Sequence, residues 1–112
     1  VRAKDEAEAQ KLIDDALLLQ ETGCFAVVLE KIPAALAQKV AEKLEIPVIG
    51  IGAGSHVDGQ VLVVHDMLGL TQGFSPRFLR RYLNLSEQIT TAVQQYISDV
   101  KNVDFPNEQE QY

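Results

Sequence analysis

The 112-residue sequence has one cysteine and no tryptophan, and aromatic residues make up only 6% of it. A lone Cys24 excludes an internal disulfide and fits a reducing compartment. Its place beside an apolar run reads as a small buried thiol. Basic residues are also scarce: 10 Lys and Arg against 16 Asp and Glu leave a formal charge of −6. That balance argues against nucleic acid as a partner, because phosphate backbones are gripped by clustered cations. Arg77, Arg80 and Arg81 form one local basic cluster, which reads as a solvated helix face. No apolar run approaches the roughly 18 residues of a membrane span. The first ten residues lack the apolar block of a signal peptide. The chain starts with Val1, which leads us to expect that upstream sequence has been removed.

Apolar residues make up 46% and charged residues 23%, ordinary for a globular chain. At this length one domain is expected, with a modest core. Lys4 to Glu21 reads as a helix, with Leu12, Ile13, Ala16, Leu17 and Leu19 or Gln20 on a wide apolar face and acids in its first turn. Thr22-Gly23 supplies the stop. Phe25 to Leu29 reads as a strand. Pro33 suits the first position of a second helix, in which Leu36, Val40, Ala41 and Leu44 share one face and which Pro47 closes. Val48 to Ile51 is the second strand. Strand, helix and strand in this order predict a right-handed parallel βαβ unit.

Ser55 to Gly59 reads as a turn and Gln60 to Val64 as a third strand. Ser86 suits the N-cap of a last helix, where Ile89, Ala92, Val93, Tyr96, Ile97 and Val100 keep i, i+3, i+4 spacing. That face must pack on something. The polar tail from Asp104 is either an ordered strap or a frayed end. Three parallel strands leave two unpaired edges, and edges invite association, so either a missing partner segment or an oligomer is expected.

Three apolar runs end in residues that can do chemistry, and α/β enzymes place their sites at the carboxyl ends of parallel strands. Glu30 ends the first run. A carboxylate against an apolar wall is disfavoured in its charged form, which suits general acid or base work. The plainer alternative is an exposed strand-end glutamate paired with Lys31 or Lys11. Gly50-Ile-Gly-Ala-Gly54 superficially matches a dinucleotide loop, but that fingerprint needs a helix opening at the third glycine and an acid about 20 residues on. Glycines at a barrel mouth fit close approach of a ligand to backbone better. His65 and Asp66, read as strand neighbours, would point to opposite faces and so read as structural. His56 has no second ligand nearby, and neither a zinc spacing nor a Ser-His-Asp triad can be assembled.

Val27-Val-Leu-Glu-Lys-Ile-Pro33, Ile46-Pro-Val-Ile-Gly-Ile-Gly-Ala-Gly54, Asp58-Gly-Gln60 and His65-Asp-Met-Leu-Gly-Leu70 together resemble the ketopantoate hydroxymethyltransferase (3-methyl-2-oxobutanoate hydroxymethyltransferase) family. The likeness continues through Phe78, Tyr82, Leu85-Ser86-Glu87-Gln88-Ile89, Ala92-Val93 and Phe105-Pro106. The resemblance implies an α/β chain forming the carboxyl-terminal portion of a (βα)8 TIM barrel: its last three strands and C-terminal helices. Residues 1–112 would be a single partial barrel domain, with 86–112 a helix and tail packed on the barrel or a neighbouring subunit. It implies a cytoplasmic homo-oligomer that transfers a hydroxymethyl group from 5,10-methylenetetrahydrofolate to 3-methyl-2-oxobutanoate in pantothenate and coenzyme A biosynthesis. Glu30 matches the family's catalytic acid/base. Ile51, Val61 and Val63 match the apolar pocket wall. The resemblance also implies a Mg²⁺ that polarises the keto acid as a Lewis acid and is held by carboxylates with no counterpart in this chain. A whole barrel takes about 250 residues, so the resemblance implies either a fragment completed by an amino-terminal partner or an inactive structural and oligomerisation fragment. A free-standing phosphate or nucleotide binder using the glycines is a third, weaker reading.

Overall fold

The computed structural model describes all residues, Val1–Tyr112. The chain falls into two compact units. The first comprises residues 1–62 and 76–79; the second comprises 63–75 and 80–112.

In the first unit, α1 (Glu6–Glu21) starts later than the sequence suggests. Asp5 caps it, its Oδ1 accepting the Glu8 N–H at 2.9 Å. Arg2 is already used elsewhere, its N–H donating to the Lys31 carbonyl at 2.9 Å. Gly23 takes φ +99 after the helix, as its placement predicted. Strand β1 is Val27–Glu30 and β2 is Val48–Ile51, parallel, with Val27 beside Val48 and Glu30 beside Ile51. Phe25, expected in the strand, precedes the first ladder bond (Val27 N–H to Pro47 carbonyl, 2.9 Å) and stays exposed. Helix α2 (Ala34–Lys43) crosses between the strands, with Pro33 just before it and the Pro33 carbonyl accepting from Leu36 and Ala37.

The βαβ unit thus forms as its pattern dictates, and its core is one-sided. Val27, Leu29 and Val48 are buried with Ile13 and Ala16 of α1 and Leu36, Ala37 and Val40 of α2. Leu19 is exposed. Gln20, not an apolar residue, finishes the inner stripe: its Oε1 accepts the N–H groups of Glu45 at 2.7 Å and Ile46 at 3.2 Å. The link from α2 to β2 is thereby tied to α1.

The third strand is far shorter than Gln60 to Val64. Strand β3 is only Gly59–Gln60, parallel to β2, with Ile49 beside Gly59 and Gly50 beside Gln60. The Val61 N–H still donates to the Gly50 carbonyl at 3.0 Å. Beyond Ile51, β2 leaves the extended conformation at Gly52, φ +64, so later residues find no ladder to join. Asp58 sets up this pairing: its N–H donates to the Val48 carbonyl at 2.9 Å, and its Oδ2 accepts the Val48 N–H at 2.8 Å.

The second unit holds α3 (Val64–Met67) and α4 (Leu85–Lys101). Val63 and Val64, read as strand, instead start α3, because the Val63 carbonyl accepts from Asp66 and Met67. The arginine cluster is not on a helix. Arg81 Nη2 instead pins a loop through the carbonyls of Thr71 at 3.2 Å and Phe74 at 3.3 Å. Asn84, two residues before the expected Ser86, occupies the N-cap of α4. No residue of α4 is buried, so Ile89, Val93, Tyr96, Ile97 and Val100 present an uncovered apolar face. The start of the tail folds back on the end of α4: the Asp104 and Phe105 N–H groups donate to the Asp99 carbonyl, and the Phe105 ring meets Tyr96 edge-on at 5.6 Å. No helix is long and apolar enough to cross a membrane.

Two stability predictions follow from the turn at the end of β2. Gly54 takes φ +84, and a Cβ there would strike the Ala34 side chain. Gly54→Ala should cost about 2–4 kcal/mol, combining left-handed strain with overpacking. Gly73→Ala, at φ +75 with open space around it, should cost only the strain, about 1–2 kcal/mol. Asp58→Ala should cost about 1–3 kcal/mol, because it strands the N–H of fully buried Val48, whereas Asp58→Asn retains an acceptor. Urea denaturation midpoints check both orders; equal losses in either pair would contradict the stated cause.

Candidate active site

The strand register decides which candidates can meet. Side chains alternate between sheet faces, and residues paired across parallel strands share a face. Val27, Leu29, Val48 and Gly50 face the helices, while Val28, Glu30, Ile49 and Ile51 face the other way. Glu30 and Ile51 are therefore neighbours on the sheet face that α1 and α2 leave bare. Ile51 pairs with Glu30 at the carboxyl ends of the strands, whereas Val61 lies just past the last β2–β3 pair, Gly50 with Gln60, tied only by its N–H on the Gly50 carbonyl at 3.0 Å. Lower down, the space over Gly59 is taken by Ile49, whose Cδ1 lies 2.9 Å from where a Cβ would stand.

Glu30 is exposed, so nothing in the chain encloses it in an apolar wall. It is not an ion-pair partner of either nearby lysine: Lys11 pairs with Asp15 at 3.1 Å, and Lys31 Nζ lies 5.5 Å from the Phe78 ring centroid. Glu30 opens onto a depression of about 350 Å³ along the free edge of β1, lined also by Arg2, Lys11, Asp15 and Val28. Ile51 and Val61 do not line it. Val61 is half exposed. Val63 belongs to the second unit, where it is half exposed just before α3.

The glycine cluster does not serve as expected for ligand approach. The space over Gly52 is taken by Phe78, whose Cγ and Cδ1 lie 3.1 Å from where a Cβ would stand, and that over Gly54 by Ala34. No helix opens after Gly54, which removes the dinucleotide-loop geometry. His65 and Asp66 lie on the turn of α3, not on a strand; His65 is exposed and Asp66 is buried. His56 is exposed beside Gln38, Glu42 and Asp58. No three His, Cys, Asp or Glu side chains come together to hold a metal ion. The role of Gln20 had no sequence signal beyond its polarity, and Asp58 stood in the Asp58-Gly-Gln60 motif with no role attached, because each depends on a partner ten or more residues away.

Residues 1–108 match the family model described as ketopantoate hydroxymethyltransferase. Among curated proteins, the chain is 75% identical over its full length to the 3-methyl-2-oxobutanoate hydroxymethyltransferase of Parabacteroides distasonis. It is 72% identical to that of Phocaeicola vulgatus and 70% identical to that of Porphyromonas gingivalis. In each case the match covers all of this chain but 41% of the relative's length. With nearly every residue inside the match, and the strand-end row of Glu30 and Ile51 inside it too, the chain belongs to the ketopantoate hydroxymethyltransferase family.

Proposed function

We propose that this chain forms the last three strands and C-terminal helices of a (βα)8 barrel, and that it supplies part of the site of a cytoplasmic 3-methyl-2-oxobutanoate hydroxymethyltransferase. The observation that carries the reading is the bare sheet face. Parallel strands are ordinarily covered on both faces, yet Val28 and Glu30 are exposed and Ile49 and Ile51 only half-buried while the opposite face is packed. In a barrel that bare face is the interior, and its carboxyl end is where the chemistry sits.

In this reading Glu30 acts as the base that takes the proton from the carbon beside the ketone of 3-methyl-2-oxobutanoate. The resulting carbanion forms a carbon–carbon bond to the one-carbon unit of 5,10-methylenetetrahydrofolate. One water is consumed, and 2-dehydropantoate and tetrahydrofolate leave. Ile51, paired with Glu30 across the strands, forms an apolar wall against the branched end of the keto acid; Val61 and Val63 join it on the family resemblance alone. Mg²⁺ is held by residues beyond the stretch that this chain spans. The uncovered face of α4 and the tail 102–112 pack on the rest of the barrel or on a neighbouring subunit.

A second reading is supported by the same uncovered α4 face and the unpaired edge of β1: a catalytically inactive fragment whose role is association. Self-association without any binding of 3-methyl-2-oxobutanoate would favour it.

The deciding experiment mixes this chain with the amino-terminal remainder of the Parabacteroides distasonis relative, Mg²⁺ and both substrates. Turnover should appear, and Glu30→Gln should lower it by about 10²-fold or more, the usual share of a general acid or base. A well-folded mixture that stays silent would refute the completed-barrel reading. Turnover indifferent to Glu30→Gln would remove that side chain from the mechanism.

A further inference from the structure

Immediately after Glu30, the backbone of Lys31 takes φ +52, a left-handed conformation that a side chain such as lysine rarely adopts. Immediately after Ile51, Gly52 takes φ +64. The two strand exits are joined by a bond from the Lys31 N–H to the Ile51 carbonyl, at 2.9 Å. A left-handed non-glycine residue persists only where its surroundings over-determine it. The surroundings here include one ring. Phe78 lies within van der Waals contact of Gly52, so close that a Cβ would meet it, and the Lys31 ammonium stands 5.5 Å from the ring centroid. The segment 76–79 that carries Phe78 packs with the first unit, although the chain on either side of it belongs to the second. It is held in a turn by the Leu79 N–H on the Pro76 carbonyl at 3.0 Å.

We infer that Phe78 is a positioning residue: its ring, against Gly52 on β2 and under the Lys31 ammonium on β1, holds the two strand exits together and so fixes where Glu30 stands beside Ile51. A π face attracts an ammonium group, whereas an aliphatic side chain of similar bulk offers only contact. Glycine at position 52 is required twice, for its backbone angle and for the ring's approach. The chemical consequence for Glu30 rests on the acid/base reading given above; the clamp itself does not.

The test uses the whole chain labelled with ¹⁵N and ¹³C, in parent, Phe78→Leu, Phe78→Tyr and Lys31→Met forms. In the parent and in Phe78→Tyr, the ε-methylene protons of Lys31 should be shifted upfield by the ring, and the Lys31 amide should exchange slowly. In Phe78→Leu the upfield shift should vanish and the Lys31 amide should exchange about tenfold faster, while the Val27 amide at the far end of the same ladder keeps its protection. Lys31→Met should speed exchange at position 31 in the same local way. Unchanged exchange at Lys31 in Phe78→Leu would overturn the inference. So would equal loss at Lys31 and Val27, because the ring would then be general core. In the completed barrel, Phe78→Leu should lower kcat with little change in KM for the keto acid, and Phe78→Tyr should restore it. If the exchange pattern holds but Glu30→Gln leaves turnover intact, the clamp stands and the acid/base reading fails.

Discussion

The first unit depends on the parallel pairing of Val27–Glu30 with Val48–Ile51. Four residues on each side put alternating side chains in register, so a single choice of face sorts both strands at once. Val27, Leu29 and Val48 go under α1 and α2, and Val28, Glu30, Ile49 and Ile51 go to the opposite side. A slip of one residue would exchange the two sets, burying the Glu30 carboxylate under the helices and exposing the apolar core. The packing that stabilises the unit and the exposure of its candidate chemical group are thus two results of one register.

Polar side chains act as the fasteners around that ladder. Gln20 holds the entry to β2 from α1, and Asp58 holds the first residue of β2 from the turn before β3. Gln60 Nε2 reaches back to the Gly54 carbonyl at 2.8 Å, closing the glycine turn from the other side. Each satisfies a backbone group at a place where the ladder or a helix cannot, which is where such groups are costly to leave alone. The Gly50–Gly54 segment is consequently shaped by the chain's own side chains, with Ala34, Val57 and Phe78 filling the space that the missing Cβ atoms leave.

Much of this was legible in the residues. Pro33 and Pro47 bracket a helix with an apolar face, and Val48–Ile51 is bounded by Pro47 and Gly52, so the βαβ unit could be read from local signals alone. The run from Gln60 to Val64 could not be read that way. Its β-branched residues suit a strand, but a short apolar run carries no periodicity able to separate strand from helix. The outcome turned on whether β2 continued alongside, and Gly52 had already turned it away. The face of α4 was legible as a face, whereas what covers it was not, because amphipathic spacing records that a partner is needed and nothing of its identity. The pairing of Glu30 with Ile51 is a long-range property of the register, which local signals in the sequence do not carry. Phe78 stood in the family likeness with no role attached, since its partners Lys31 and Gly52 lie more than 25 residues away.

A sheet dressed on one side has a consequence for how such a chain behaves in a cell. Val28, Val61 and the α4 residues Ile89, Val93 and Tyr96 offer greasy surface to solvent, alongside an edge strand with free hydrogen-bonding groups. Made without whatever covers them, these surfaces are the kind that chaperones bind and that drive misassembly at ordinary protein concentrations. The net charge of −6 opposes such clumping only through long-range repulsion, which physiological salt weakens beyond about 8 Å. Solubility in isolation is therefore the property that this half-covered architecture leaves least protected.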